Sequence, residues 1–281
     1  MSLLDSTVDP REDTQQYREL GLGDLRERQG SIDADDCHVI FDNVSYYFML
    51  KKKRITLLAN VFAGIPKGRK IAVLGHKGVG KSSLLELLAQ KSNPTRGRVV
   101  RNSAVSWPLN TQQLFTMPLT VRDNLVFAAR TYLLQRPRYV LERAVYFAEL
   151  DVDELNRPMS DLDSRKRRRI ALALGLMGNF DVHLFDGPTR AQPFGFATTE
   201  NDRFSELIFQ KDYIISVAAP AQIPQNCDLV YILYQGQLYM FENIDLAKQT
   251  FASLPAPVLV DEGQRGGDGD DGDSGAGLEA F

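Results

Sequence analysis

The apolar positions of this chain fall into three regimes. From Cys37 onward, short runs with a two-residue beat alternate with polar turns. His38-Val39-Ile40-Phe41 and Val44-Ser45-Tyr46-Tyr47-Phe48 read as strand material, and the basic turn Lys51-Lys52-Lys53-Arg54 leads to a further strand over 55–65. Pro66-Lys67-Gly68-Arg69 ends it. Lys70-Ile71-Ala72-Val73-Leu74 is a short apolar run suited to a buried strand. Residues 82–90, rich in Leu, Glu and Ala, predict a helix. Asn93-Pro94-Thr95-Arg96-Gly97 stops that helix, and 98–105 look extended. The middle regime is helical, with segments over 120–134 (capped by Thr120), 138–150 and 164–177. The strand beat then returns over 182–185, 213–217, 229–233 and, after a turn at Gly236, 237–241. Strands separated by helices predict an α/β domain around a mainly parallel sheet, with an antiparallel β portion and a helical insertion at about 120–177.

Length and charge add boundaries. A chain of 281 residues suits one large domain with short appendages. Residues 1–36 read as a flexible acidic arm in which 15–25 can form a short amphipathic helix, 37–254 as the folded domain, and 255–281 as a disordered Gly- and Asp-rich tail. Residues 1–36 carry ten acids against four bases, and 261–281 seven against one. The chain nets −3, which leaves +9 for residues 37–260. A basic body between acidic ends predicts a surface facing phosphates, anionic lipid or an acidic partner. Only Cys37 and Cys227 occur, far apart in sequence, so a disulfide framework is not expected and a reducing compartment fits. No apolar run spans a membrane and no signal-peptide pattern opens the chain.

One segment carries specific chemistry. Gly75-His76-Lys77-Gly78-Val79-Gly80-Lys81-Ser82 matches G-x-x-x-x-G-K-S in full, between a predicted strand and a predicted helix. This is the phosphate-binding loop of P-loop NTPases. Glycine lets the backbone bend its N–H groups onto phosphate oxygens, and the helix N-terminus adds partial positive charge. Gly75, Gly78, Val79, Gly80, Lys81, Ser82 and Ser83 are therefore the candidate contacts for a nucleoside triphosphate, expected to be ATP. Lys81 would neutralise the β and γ phosphates, and Ser82 would hold Mg²⁺. A second, acidic anchor for Mg²⁺ is expected at the end of a nearby buried strand; Val182-His183-Leu184-Phe185-Asp186 supplies Asp186. His183 is expected to be a packed strand residue, and His76 merely to line the loop.

The order of these pieces resembles the ATP-binding subunits of ABC transporters, and most of all those of capsular-polysaccharide export. The resemblance runs from about Cys37 to Ser253. It rests on Ile65-Pro66-Lys67-Gly68, the loop, Asn93-Pro94-Thr95-Arg96-Gly97 and Leu119-Thr120-Val121-Arg122-Asp123-Asn124-Leu125. Phe180-Asp181-Val182-His183-Leu184-Phe185-Asp186, Gln225-Asn226-Cys227-Asp228 and Phe241-Glu242-Asn243-Ile244-Asp245 extend it. Ala104-Val105-Ser106-Trp107-Pro108-Leu109 is the cue for polysaccharide export. The resemblance implies a homo- or heterodimer of nucleotide-binding subunits on a membrane permease, peripheral on the cytoplasmic face of the inner membrane. It also implies that Phe48, or Tyr47, stacks on adenine. Nucleic acid is not among the expected partners.

The departures from the family pattern bear on activity. Gly187 stands where the family places a Glu that polarises the attacking water, and Ala218 where it places a His near the γ-phosphate. Thr116 aligns with a coupling Gln, although Gln112 and Gln113 lie nearby. The signature that caps the partner's ATP is glycine-free here, Leu162-Asp163-Ser164-Arg165-Lys166, and Asp163 brings negative charge. The five bases from Arg165 to Arg169 sit at a predicted helix start, where cations are unfavourable, and call for a solvated face or for an anion from a partner or nucleotide. The resulting expectation is ATP binding with little or no hydrolysis. The alternatives are an active ATPase using Asp181 or Asp163, and a nucleotide-sensing scaffold without a permease.

Overall fold

The computed structural model describes residues 34–50, 53–109, 114–131, 133, 135–187, 204, 208 and 210–255. The two acidic ends therefore lie outside the described residues, apart from 34–36 and Pro255. The strands are β1 (Cys37–Leu50), β2 (Lys53–Pro66), β3 (Lys70–Leu74), β4 (Arg96–Arg101), β5 (Val105–Pro108), β6 (Val182–Asp186), β7 (Asp212–Val217), β8 (Leu229–Tyr234) and β9 (Gln237–Phe241). The α-helices are α1 (Lys81–Leu88), α2 (Val121–Thr131), α3 (Pro137–Ala148), α4 (Ser164–Met177) and α5 (Ile244–Ser253).

Six strands form the central sheet in the order β5-β6-β7-β3-β8-β9. All neighbours are parallel except β8 and β9, which form an antiparallel hairpin. The apolar runs of the inner strands become intelligible here, because their residues divide between two cores. Ala72 and Leu74 of β3 enter one core with Tyr213, Ile215 and Val217 of β7, and α4 and α5 cover it with Leu172, Leu176, Ala247 and Phe251. Ile71 and Val73 face the other way with Leu184, Ile214 and Tyr231. That second core is closed by Leu84, Leu85, Leu87 and Leu88 of α1, and by Phe41, Leu58 and Ile65 of the smaller sheet. A parallel sheet buried on both faces needs such unbroken apolar strands. Helices α2, α3 and the start of α4 enclose a third cluster that includes Val121, Leu125, Val140, Ala144, Met159 and Ile170.

The smaller sheet is antiparallel, in the order β2-β1-β4. Its details revise two expectations. The two predicted strands over 38–48 are one continuous strand, β1, kinked by register shifts around Val44 with Asn43 at φ 53°. The bulge absorbs the polar Asp42-Asn43 pair without ending the ladder. Conversely, the extended stretch 98–105 is two strands in different sheets. Asn102 donates its N–H to the His38 carbonyl (2.8 Å), which closes the β1–β4 ladder, and the chain then crosses to join β6. His38, 3% exposed, clips this crossing in place: Nδ1 meets Ser103 Oγ at 2.8 Å and Nε2 meets Asp212 Oδ2 at 2.9 Å.

His183 is fully buried in β6, as expected of a packed strand residue. Burial, reinforced by the charge of Lys211, pushes its pKa down to about 4. The unfolded chain takes up that proton near pH 6.5 while the folded chain refuses it. Stability contributed by the neutral ring is therefore present above pH 6.5 and lost as pH falls toward 4. Between pH 6.5 and 5 the expected loss from this group is about 1.5 kcal/mol. Urea melts at the two pH values, with His183→Leu alongside, measure it; equal losses in both proteins would refute the assignment.

Candidate functional site

The phosphate-loop sequence leaves the carboxyl end of β3 and enters α1, and Asp186 ends β6, with β7 between them. Both therefore lie at the carboxyl edge of the parallel sheet, where open α/β sheets place their ligands. Gly75 is anchored by its N–H on the Val217 carbonyl of β7, 3.2 Å away. A Cβ at Gly75 would come within 2.9 Å of Val79 Cγ2 and 3.0 Å of the Leu233 carbonyl. Gly80, at φ +103°, precedes the first turn of α1, and a Cβ there would meet the Leu57 side chain of β2 at 3.0 Å. Glycine is thus demanded twice, once by packing and once by backbone conformation.

The Lys81 ammonium donates to two loop carbonyls, Gly75 O at 2.7 Å and His76 O at 2.8 Å. Burial draws its pKa below the ordinary lysine value, while the Asp186 carboxylate pulls the other way. Ser82 Oγ lies 3.1 Å from Asp186 Oδ1, so the two expected Mg²⁺ anchors meet although 104 residues separate them. Ser216 of β7 donates its hydroxyl to the same carboxylate oxygen at 2.9 Å and accepts the Gly187 N–H at 2.8 Å. Among the described residues, the N–H groups of Gly80, Lys81 and Ser82 have no hydrogen-bond acceptor. Unpartnered amides beside a lysine and next to a helix start fit a phosphate chain, and a hydroxyl against a carboxylate fits a hard cation. The residues present fit ATP with Mg²⁺.

Phe48 is 41% exposed and pairs with Ile55, two residues before the Leu57 that touches Gly80. The ring thus stands free at the end of the β1–β2 ladder next to the loop. Tyr47 is engaged instead with the Arg54 guanidinium, 4.0 Å from its ring centre.

The positions that depart from the family pattern have their own local roles. Gly187 has φ +80°, and among the described residues no atom lies within 4 Å of the place a Cβ would take there. Ala218 is exposed, and Gln222 Oε1 accepts its N–H (2.8 Å) and that of Ala219 (3.1 Å). Thr116 is bound front and back by Asn124: its N–H at 2.8 Å and its carbonyl at 3.1 Å. Gln112 and Gln113 lie outside the described residues. Asp163 caps α4, accepting the Lys166 N–H at 2.8 Å, and that bond holds its carboxyl below the usual range.

Among the described residues, two of the five bases, Lys166 and Arg169, find carboxylate partners within the chain. Lys166 forms an ion pair with Glu154 at 2.7 Å, Arg167 donates to the Ser160 carbonyl at 3.1 Å, and buried Arg169 meets Glu149 at 2.8 Å and the Phe147 carbonyl at 3.1 Å. Arg165 stays exposed, so the unfavourable charge at the helix start is offset in part within the chain. Sequence reasoning overlooked Ser216, Gln222 and both glutamates. Only Ser216 left a trace, as a lone hydroxyl in the apolar run Tyr213-Ile214-Ile215-Ser216-Val217 one strand away from Asp186.

Comparison with known proteins bears on the family. The family model described as ABC transporter matches residues 58–190. Over 214 residues the chain is 31% identical to the capsule polysaccharide export ATP-binding protein CtrD of Neisseria meningitidis serogroup B, spanning 76% of this chain and 98% of that protein. It is 33% identical over 196 residues to the ATP-binding protein BexA of Haemophilus influenzae, spanning 70% and 89%. A dimeric ATP-binding cassette solved in a post-hydrolysis state with ADP and Pi superposes with a TM-score of 0.60 at 20% identity, over 73% of this chain and 98% of that one. With relatives matched over nearly their whole length, and a phosphate loop facing a strand-end aspartate on this sheet, the chain belongs to the ABC transporter ATP-binding proteins.

Proposed function

We propose that this chain is an ATP-binding subunit of a polysaccharide-type exporter that holds ATP with Mg²⁺ and hydrolyses it slowly or not at all. The contact between Ser82 and Asp186, beside the latched Lys81, carries the binding half of the reading. Bound ATP would bring its phosphate charge and its metal; this chain's residues then bind and orient. The loop from Gly78 to Ser83 would cradle the phosphates with the unpartnered amides of Gly80, Lys81 and Ser82; Lys81 neutralises charge, Ser82 and Asp186 hold the metal, and Phe48 stacks on the base.

The idle half rests on what is not poised. Gly187 offers no carboxylate and Ala218 no imidazole, and a positioned general base contributes about 10²–10⁴-fold. Asp181 immediately precedes β6 and accepts the Ala104 N–H at 2.7 Å, while Asp186 ends that strand, about 16 Å further along at the usual rise. Asp163 already occupies the positive end of α4, so a partner's phosphate would meet a carboxylate there. As a dimer on a membrane permease, at the cytoplasmic face of the inner membrane, the subunit would act by holding nucleotide. Among the described residues no helix is long and apolar enough to cross a membrane, in keeping with a peripheral place.

The test is one sample titrated with Mg-ATP while phosphate release is followed. Saturable binding with turnover at the buffer background is expected. Robust phosphate release that disappears in Lys81→Ala would overturn the idle half, and absence of binding the whole reading.

A further inference from the structure

The residue that follows the first glycine of the loop is not free to turn with it. The His76 ring stacks on Phe251, with ring centres 4.6 Å apart and planes inclined by 28°. Phe251 belongs to α5, is 6% exposed, and sits in the core shared with Tyr234, Tyr239 and Phe241 of the β8–β9 hairpin. His76 Nε2 is buried and has no hydrogen-bond partner among the described residues. Burying a ring nitrogen unpartnered is unfavourable, so the stack rather than a polar contact holds the ring. The main chain of the same residue faces the other way. The His76 carbonyl accepts the Lys81 ammonium at 2.8 Å and the Val79 N–H at 3.5 Å.

We propose that Phe251 and His76 are positioning residues through which helix α5 sets the phosphate loop. The core fixes Phe251, Phe251 fixes the His76 ring, and the His76 peptide fixes the Lys81 ammonium that awaits phosphate. The affinity for a nucleoside triphosphate is thereby adjustable from the carboxyl end of the chain. This rests on the nucleotide-binding reading, but the loop's rigidity does not.

Two measurements on the full chain test it. In nucleotide-free protein, hydrogen exchange of the Gly75 and Val79 amides, which are bonded to the Val217 and His76 carbonyls, is expected to quicken in His76→Ala and in Phe251→Leu, and to stay near the native rate in His76→Phe, which keeps the stack. In Mg-ATP titrations, His76→Ala and Phe251→Leu should each raise Kd about three- to tenfold, the range of an aromatic pair. The double variant should be no weaker than the weaker single one, and His76→Phe should bind like the native chain. Thermal melts accompany every variant. A lowered Tm with unchanged loop exchange marks Phe251 as core packing only and overturns the proposal. So do multiplicative effects in the double variant, or loss of affinity in His76→Phe. If the native chain and Lys81→Ala both fail to bind ATP, the nucleotide reading falls, and the exchange data alone decide whether α5 sets the loop.

Discussion

Replacing Lys81 by alanine is expected to weaken Mg-ATP binding about 100-fold while leaving the fold intact. The ammonium sits beside the loop's free amides as a full positive charge, and charge-assisted hydrogen bonds are worth about 1.5–3 kcal/mol each. Among the described residues its hydrogen-bond partners are the Gly75 and His76 carbonyls, on the loop itself, and it begins α1 without filling a core. The Tm of Lys81→Ala should therefore stay close to that of the native chain. Lys81→Arg should recover part of the charge but lose the fit, because a planar fork cannot replace a compact ammonium between two carbonyls. Isothermal titration of the three proteins checks this; equal affinities would remove Lys81 from the binding site.

The largest expected effect on stability belongs to a residue far from any chemistry. Gly97 lies in β4 opposite the bulge of β1, at φ +79°. A Cβ there would stand 2.0 Å from the Asn43 carbonyl oxygen and 2.6 Å from that of Asp42. Backbone atoms of a paired strand cannot swing aside as a flexible side chain would. Gly97→Ala is expected to cost about 4 kcal/mol, combining strain at positive φ with displacement of the β1–β4 ladder. Chemical denaturation measures it directly, with Gly68→Ala as a control, since Gly68 has positive φ (+68°) but open space around it. Similar losses in both would show that φ alone sets the cost.

Much of this arrangement is legible in sequence because its signals are local. An apolar run such as Ile71-Ala72-Val73-Leu74 has one use in an α/β domain, and the Gly-Lys-Ser loop declares itself by spacing. Asp186 is legible only once that loop gives its strand a meaning. What escapes depends on partners distant in sequence. Glu149 and Glu154 are residues of no note until folding brings them to Arg169 and Lys166, which pairs two of the five bases within the chain. The split between β4 and β5 escapes because Asn102-Ser103 is a weak turn signal, and the His38 clip that enforces it comes from another strand. Helix α5 announces itself only by Asn243, whose Oδ1 caps it through the Leu246 N–H at 3.0 Å. Its bearing on the loop through Phe251 leaves no trace in a linear pattern.

The backbone at Gly187 has a bearing on evolutionary reversibility. Among the described residues nothing crowds a Cβ there, so it is the backbone conformation that disfavours a glutamate. An L-residue held at this φ costs about 1–2 kcal/mol, and escape means turning a peptide whose N–H is tied to Ser216. The same Ser216 hydroxyl supports Asp186, so relaxing one position disturbs the other. A single codon change would thus install the carboxylate in the wrong orientation and loosen the metal anchor with it. A glutamate at position 187 would thus need a compensating change at position 216 if Asp186 is to keep its support.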